Sequence, residues 1–229
     1  MGLLGRIGRR IGREVGRELE EGIKREITKI EDRIEGKLEK WEKDLVKKVT
    51  SVNKHIKGKI ITDFNEFKTD WEKNAGDQSQ SVFYFAIACY NYCLVDKTIG
   101  EHMATLILAK TFLLKSGSSP TKFKVNPKGD GYLLGHMRES PRIIKSYFGG
   151  TPDNNYEMDP ENLDMHVVGI YEGKTNRGIP EGCIKIQSGG KDHDTPMFLR
   201  RNNKGQWKMF GFSSLATGVK TTTEEIGDF

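Results

Sequence analysis

Cysteine is scarce and odd in number: the 229 residues hold three, Cys89, Cys93 and Cys183. That count supports no disulfide framework, and a chain of this length needs none, since ~150 residues already bury a sufficient core. Cys89 and Cys93 stand four apart in an apolar run with no His or acid at ligand spacing, and Cys183 lies in a distant strand-like segment. A metal site is therefore not expected. Buried thiols in a reducing compartment are the plainer reading, and no cofactor is implied.

Long apolar runs are missing as well. The uncharged stretch Ser79 to Val95 has an apolar heart beginning only at Val82, short of the ~20 residues that span a bilayer. Arginine interrupts every turn of the N-terminus, so the apolar region and cleavage site of a secretory signal are absent. The myristoylation pattern fails at Arg6, where it requires Ser or Thr. The placement expected is cytoplasmic, with a specialised secretion route or a membrane-peripheral position as the alternatives.

Catalytic signatures are equally thin. None of His55, His102, His136, His166 and His193 stands in a metal spacing such as HExxH. Gly189-Gly190-Lys191 is too short for a phosphate loop and no helix is expected after it. Ser213-Ser214 lies in no GxSxG elbow. Asp192-His193-Asp194 is the best acid–base cluster, an imidazole between two carboxylates, yet beside two glycines it reads first as a solvated turn. No catalytic residue is assigned.

What the chain has is a charged arm. Its formal net charge is +5, and residues 1–60 hold 17 Lys+Arg against 11 Asp+Glu, leaving 20 against 21 in the rest. Within residues 1–50, apolar residues recur every three or four positions from Leu3 through Ile7, Ile11, Val15, Leu19 and onward to Val49. This predicts one amphipathic helix. A continuous helix of that length would run ~70 Å, more than its own domain covers. Glu20 with Lys24, Glu21 with Arg25, Glu39 with Lys43 and Asp44 with Lys48 are acid-before-base pairs at i,i+4 that support it.

The start of the arm differs from the remainder. Gly5, Gly8, Gly12 and Gly16 recur beside the apolar stripe of Leu3, Leu4, Ile7, Ile11, Val15 and Leu19. Each costs ~1 kcal/mol against alanine in a helix interior, and small residues at that spacing let a second helix approach closely. Arg6, Arg9, Arg10, Arg13 and Arg17 surround the opposite face, with Glu14 the only acid among the first 17 residues. Such a segment docks to a protein partner or to itself, or lies on an anionic membrane surface. Nucleic acid ranks last because no aromatic interleaves the arginines.

Residues 51–78 read as a helical linker, with Val52, Ile56, Ile60, Ile61, Phe64, Phe67 and Trp71 at helix-compatible steps and a stop at Asn74 to Asp77. Residues 79–220 read as an α+β domain and 221–229 as a tail. Ser79 to Lys97 is apolar on nearly all sides and predicts a central buried helix. Glu101 to Lys115 predicts an amphipathic helix, and a third starts near Ser140-Pro141 and stops at Gly149-Gly150. The period then changes to two in Met165–Tyr171, Cys183–Gln187, Met197–Arg201 and Gln206–Phe212, with Asn202 to Gly205 as a hairpin turn. Helices first and strands afterwards imply a helical layer on an antiparallel meander. An NTF2-like cone is one arrangement this order permits.

Ser146 to Tyr156 (SYFGGTPDNNY) and Ile184 to Lys220 together resemble an uncharacterised bacterial domain family. Its pattern falls here on Tyr147, Phe148, Gly150, Thr151, Pro152, Asn155, Tyr156, Ser188, Gly189, Gly190, Pro196, Leu199, Arg200, Trp207, Ser213, Ser214, Leu215, Gly218 and Val219. The resemblance spans about Phe64 to Val219 and implies no activity. The charged Lys191 to Thr195 departs from the family's small or acidic residues, and the arm is an addition outside the family's domain.

The leading expectation is a non-enzymatic bacterial interaction module whose N-terminal helix docks it to a larger assembly, secretion-related or self-oligomeric. The alternatives are a membrane-active effector inserting its Gly/Arg helix, and an enzyme with a cavity near residues 188–196 lined by His193 and Tyr156.

Overall fold

The computed structural model describes residues 36–227 except Leu38. The Gly/Arg-rich start, with its arginines, glycines and apolar stripe from Leu3 to Leu19, lies outside the described residues. The chain divides into two compact units, residues 1–44 and 45–229. Residues 39–46 are helical (α1), and Glu39 reaches Lys43 at 3.6 Å as the i,i+4 pattern expects.

The second unit is mixed α+β. Three of its helices begin alike: α2 (Phe64–Asn74), α3 (Gln78–Tyr90) and α4 (Lys97–Ile107) each follow an aspartate. Asp63 accepts from the backbone N–H of Asn65 and Glu66, Asp77 from Gln80, and Asp96 from Thr98 and Ile99. These carboxylates satisfy amides that the first turn leaves without partners, which is why each helix starts where it does. Helix α3 is buried on all sides from Ser81 to Cys89, so it is the central helix its composition predicts. A π turn, Asn91–Val95, ends it. There the buried Asn91 amide donates to the carbonyls of Ile87 and Ile61.

Strands β4 (Leu163–Lys174), β5 (Pro180–Ile186), β6 (Thr195–Arg201) and β7 (Trp207–Gly211) form the expected meander, with each neighbouring pair antiparallel. Met165, Val167, Ile184, Ile186, Met197, Leu199, Trp207 and Met209 are buried with the helices in the main core. Each such side chain contributes ~1.5–3 kcal/mol on removal from water. Residues 202–205 turn the β6–β7 hairpin, with Gly205 at φ +77° as positive φ requires.

Two expectations need correcting. Thr50 to Gly58, expected within a helical linker, is strand β1, paired antiparallel with β4 at the edge of the sheet in the order β1-β4-β5-β6-β7. The steps of four that suggested a helix are even, so they fit a period of two as well, and the open edge of β4 supplies the hydrogen bonds. Only Phe64 to Asn74 of that linker is helical before α3 begins.

The helix expected over Glu101 to Lys115 stops at Ile107. Leu108 and Ala109 turn extended, and Ala109 N–H donates to Met209 O on the free edge of β7. The chain then makes a small hairpin, β2 (Leu113–Lys115) with β3 (Phe123–Val125). Helix α5 (Asp130–Glu139) was not foreseen. It precedes α6 (Arg142–Lys145), whose 3₁₀ continuation ends at Gly149 with φ +98°, as the double glycine predicts. A short α7 (Thr223–Gly227) closes the described chain. No helix among the described residues is long and apolar enough to cross a membrane.

Candidate functional site

Residues of the 146–156 segment, of 188–190 and of the 213–220 stretch gather into one junction. Ser146 Oγ lies 2.7 Å from Ser188 Oγ, and Gly189 N–H donates to Ser146 O. Gly189 runs so close to the preceding turn that a Cβ there would lie 2.3 Å from Gly150 O, a backbone atom. Tyr156 is buried and its hydroxyl donates to Lys220 O at 2.6 Å. Pro152 opens a 3₁₀ turn capped by Thr151, and Asn155 follows in the left-handed region at φ +52°, where asparagine is among the better tolerated residues. Phe148 meets Phe83 edge to face.

Lys191 completes the junction. Its Nζ lies 2.6 Å from Tyr147 Oη, 2.8 Å from Ser214 O, 3.3 Å from Leu215 O and 2.8 Å from Thr217 Oγ1. Burial pushes the Lys191 ammonium down to about 8, yet four acceptors face its three protons and favour the charged form at neutral pH. Burial also raises the Tyr147 phenol. Tyr147 hydroxyl in turn lies 3.0 Å from Thr195 Oγ1. The arrangement ties the 3₁₀ turn Ser213–Ala216 to the helix end at Tyr147.

A shallow cavity of about 400 Å³ borders this junction, lined by residues that include Lys191, His193, Asp194 and Ser214. His193 is exposed, and Asp192 pairs with Lys220, whose hydrogen bond and charge hold its carboxyl below the usual range. Tyr156 does not line the cavity. The pocket shared by His193 and Tyr156 that the enzyme alternative requires is not formed there. Among the described residues no three His, Cys, Asp or Glu are placed to hold a metal ion.

A larger concavity lies at the β7 edge of the sheet. It encloses about 860 Å³ between α2, the end of α4, the β2–β3 hairpin and the β6–β7 hairpin. Lys68, Lys110, Arg200, Arg201, Lys204 and Lys208 line it, against one carboxylate, Glu72. Lys208 Nζ donates to Leu106 O and sits 4.1 Å from the centroid of the Trp71 ring. The Arg200 guanidinium carbon sits over the Phe210 ring at 3.9 Å from its centroid, and Arg201 Nε donates to Gly205 O at 2.9 Å. Burial first, then Lys204 and Lys110, push the Lys208 ammonium down to about 8, with Glu72 acting the other way. Charges of one sign gathered in a partly dry cleft raise the local concentration of an opposite partner.

The model of a domain of unknown function, DUF6935, matches residues 59–223. The chain belongs to this family. No curated protein matches it, and no solved structure does. The DUF6935 match begins one residue after β1 ends, so the edge strand stands outside it.

Within the DUF6935 domain the motif divides by place. Tyr147, Phe148, Pro152, Asn155, Tyr156, Ser188, Gly189, Gly190, Ser213 and Ser214 belong to the junction. Trp207 is a core residue of β7, 1 % exposed. Pro196, half-buried in β6, pairs opposite Lys185. Arg200 faces the groove. The groove was missed from sequence because its cations come from stretches as distant as α2 and β7. The signal available was the basic run RRNNKGQWK, Arg200 to Lys208, whose cations converge once the hairpin folds.

Proposed function

We propose that this protein is an interaction module: the groove of its DUF6935 domain receives an anionic partner, and its N-terminal amphipathic helix docks it to a protein assembly or to further copies of itself. The observation that carries the reading is the set of six cations and one carboxylate around a single cleft. Residues 61–229 hold 20 Lys+Arg against 21 Asp+Glu, so this positive charge is concentrated locally in a nearly neutral domain. Lys204 and Lys110 act on Lys208 with like charge, and an anion in the cleft relieves that repulsion. The assembly in this reading is secretion-related or a self-oligomer, and its support is an apolar stripe from Leu3 to Val49 longer than one small domain covers.

Titration of the full chain with polyglutamate at low salt tests the groove. Saturable binding is expected, weakened by the exposed double change Arg201→Glu with Lys204→Glu. Equal affinity in both proteins would remove the groove reading. Light scattering after removal of residues 1–50 tests the arm, and an unchanged oligomeric state together with unchanged partner recovery would end that part. Flotation with anionic vesicles separates the membrane-surface alternative, which predicts that changing Arg6, Arg9, Arg10, Arg13 and Arg17 to Glu abolishes flotation.

A further inference from the structure

We infer that the groove accepts an acidic peptide segment of a partner protein, with apolar side chains placed between its carboxylates; this rests on the reading of the groove as an anion site. Charge complementarity is the first ground, and the chemistry of the walls is the second. Phe64, Leu106, Leu113, Pro120 and Phe123 supply apolar surface beside the cations. A simple inorganic anion would leave that surface wet. An anion with an apolar body covers it, and pockets of this size, ~300–1,000 Å³, ordinarily combine apolar walls with a few placed polar groups.

Two of the four aromatic rings that line the groove, those of Trp71 and Phe210, are taken up by the protein's own cations. Stacking a base needs an open ring face. Trp71 is 2 % exposed and carries Lys208, and Phe210 carries Arg200. These two rings thus hold cations in place, and a ligand meets the cations together with Phe64 and Phe123. The Arg201 guanidinium, tied through Nε to Gly205 O, is a fork restricted before the partner arrives. Such a fork matches carboxylates bidentately.

The docking mode also follows. The free edge of β7 is already engaged, with Leu108 bridged to Met209 and Ala109 N–H bonded to Met209 O. A peptide is therefore held by side chains and not by extending the sheet.

Fluorescence anisotropy on the full chain tests the inference with four probes: a labelled peptide alternating Glu with Leu and Phe, the same peptide with Ser for its apolar residues, an oligothymidylate of equal charge, and tripolyphosphate as competitor. The acidic–apolar peptide is expected to bind about tenfold tighter than the Ser peptide or the oligothymidylate, and Arg201→Glu with Lys204→Glu to weaken it about tenfold. Phe123→Ser is expected to weaken only the apolar peptide. Thermal midpoints of the variants, read alongside, separate lost binding from lost fold. If oligothymidylate or tripolyphosphate binds as tightly as the peptide, and the charge reversals weaken all probes, the peptide inference is overturned while the anion site stands. If no probe binds, or the charge reversals change nothing, both are overturned.

Discussion

The junction around Lys191 and the groove around Lys208 hold lysines under similar pressure. Burial pushes each ammonium down to about 8. At the junction, Ser214 O, Leu215 O, Thr217 Oγ1 and Tyr147 Oη surround the Lys191 charge. In the groove, Lys208 has one hydrogen bond among the described residues, to Leu106 O, and rests on Trp71. Its charged surroundings include Lys204 and Lys110. A depressed lysine is therefore not a functional mark by itself. What separates a clamp from a binding group is whether the chain spends the donors on its own acceptors.

The largest effect that tests this contrast is Lys191→Met. It strips a partner from two carbonyls and two hydroxyls at once, and a cost of about 3 kcal/mol is expected. Urea unfolding of the full chain measures it, and a loss below that of Lys208→Met would break the contrast. Gly189→Ala comes next, because the added methyl meets the backbone oxygen of Gly150. About 2 kcal/mol of overpacking is expected in the same experiment.

Lys208→Met is expected to act in the opposite direction on stability. Removing a desolvated cation among like charges offsets the lost bond to Leu106 O, for a net gain of about 1 kcal/mol at pH 7. Affinity for polyglutamate should fall in the same variant. A variant that is both less stable and unimpaired in binding would reverse the assignment of Lys208.

The smallest effect is a slope in pH. For both lysines the folded value, about 8, lies below the unfolded one, 10.5. Between those values the unfolded chain holds protons that the folded chain has lost, so unfolding free energy rises with pH through the window. The burial cost is present in full below pH 8. Each Met variant should flatten the rise, and a slope unchanged in both variants would show that neither lysine carries it.

Much of the domain was legible because its signals are local. The turn at Asn74 to Asp77 stands before α3, and the alternation in β4 and β7 assigns faces residue by residue, whereas α4 starts at Lys97, four residues before the expected Glu101. The Asn202 to Gly205 turn needs only its own four residues. Strand β1 was misread because Val52, Ile56 and Ile60 satisfy both periods, and only the presence of β4 beside them decides between the two. The end of α4 was misread for a related reason: Leu108 and Ala109 continue an amphipathic pattern but leave the helix to meet β7. The motif residues were visible as a pattern, while their use of Lys191 as a common clamp was not, since its acceptors are 23 to 44 positions away.

The sequence by itself determined the class of the domain, its central buried helix, its meander and the concentration of positive charge in the arm. These depend on interactions within a few residues or on simple periodicity. Only the tertiary structure decided that residues 50–58 complete the sheet, that Tyr147 and the 214–217 turn close on Lys191, and that Lys68, Lys110, Arg200, Arg201, Lys204 and Lys208 share one cleft. Those outcomes depend on which distant surfaces bury one another, and a local pattern does not encode that.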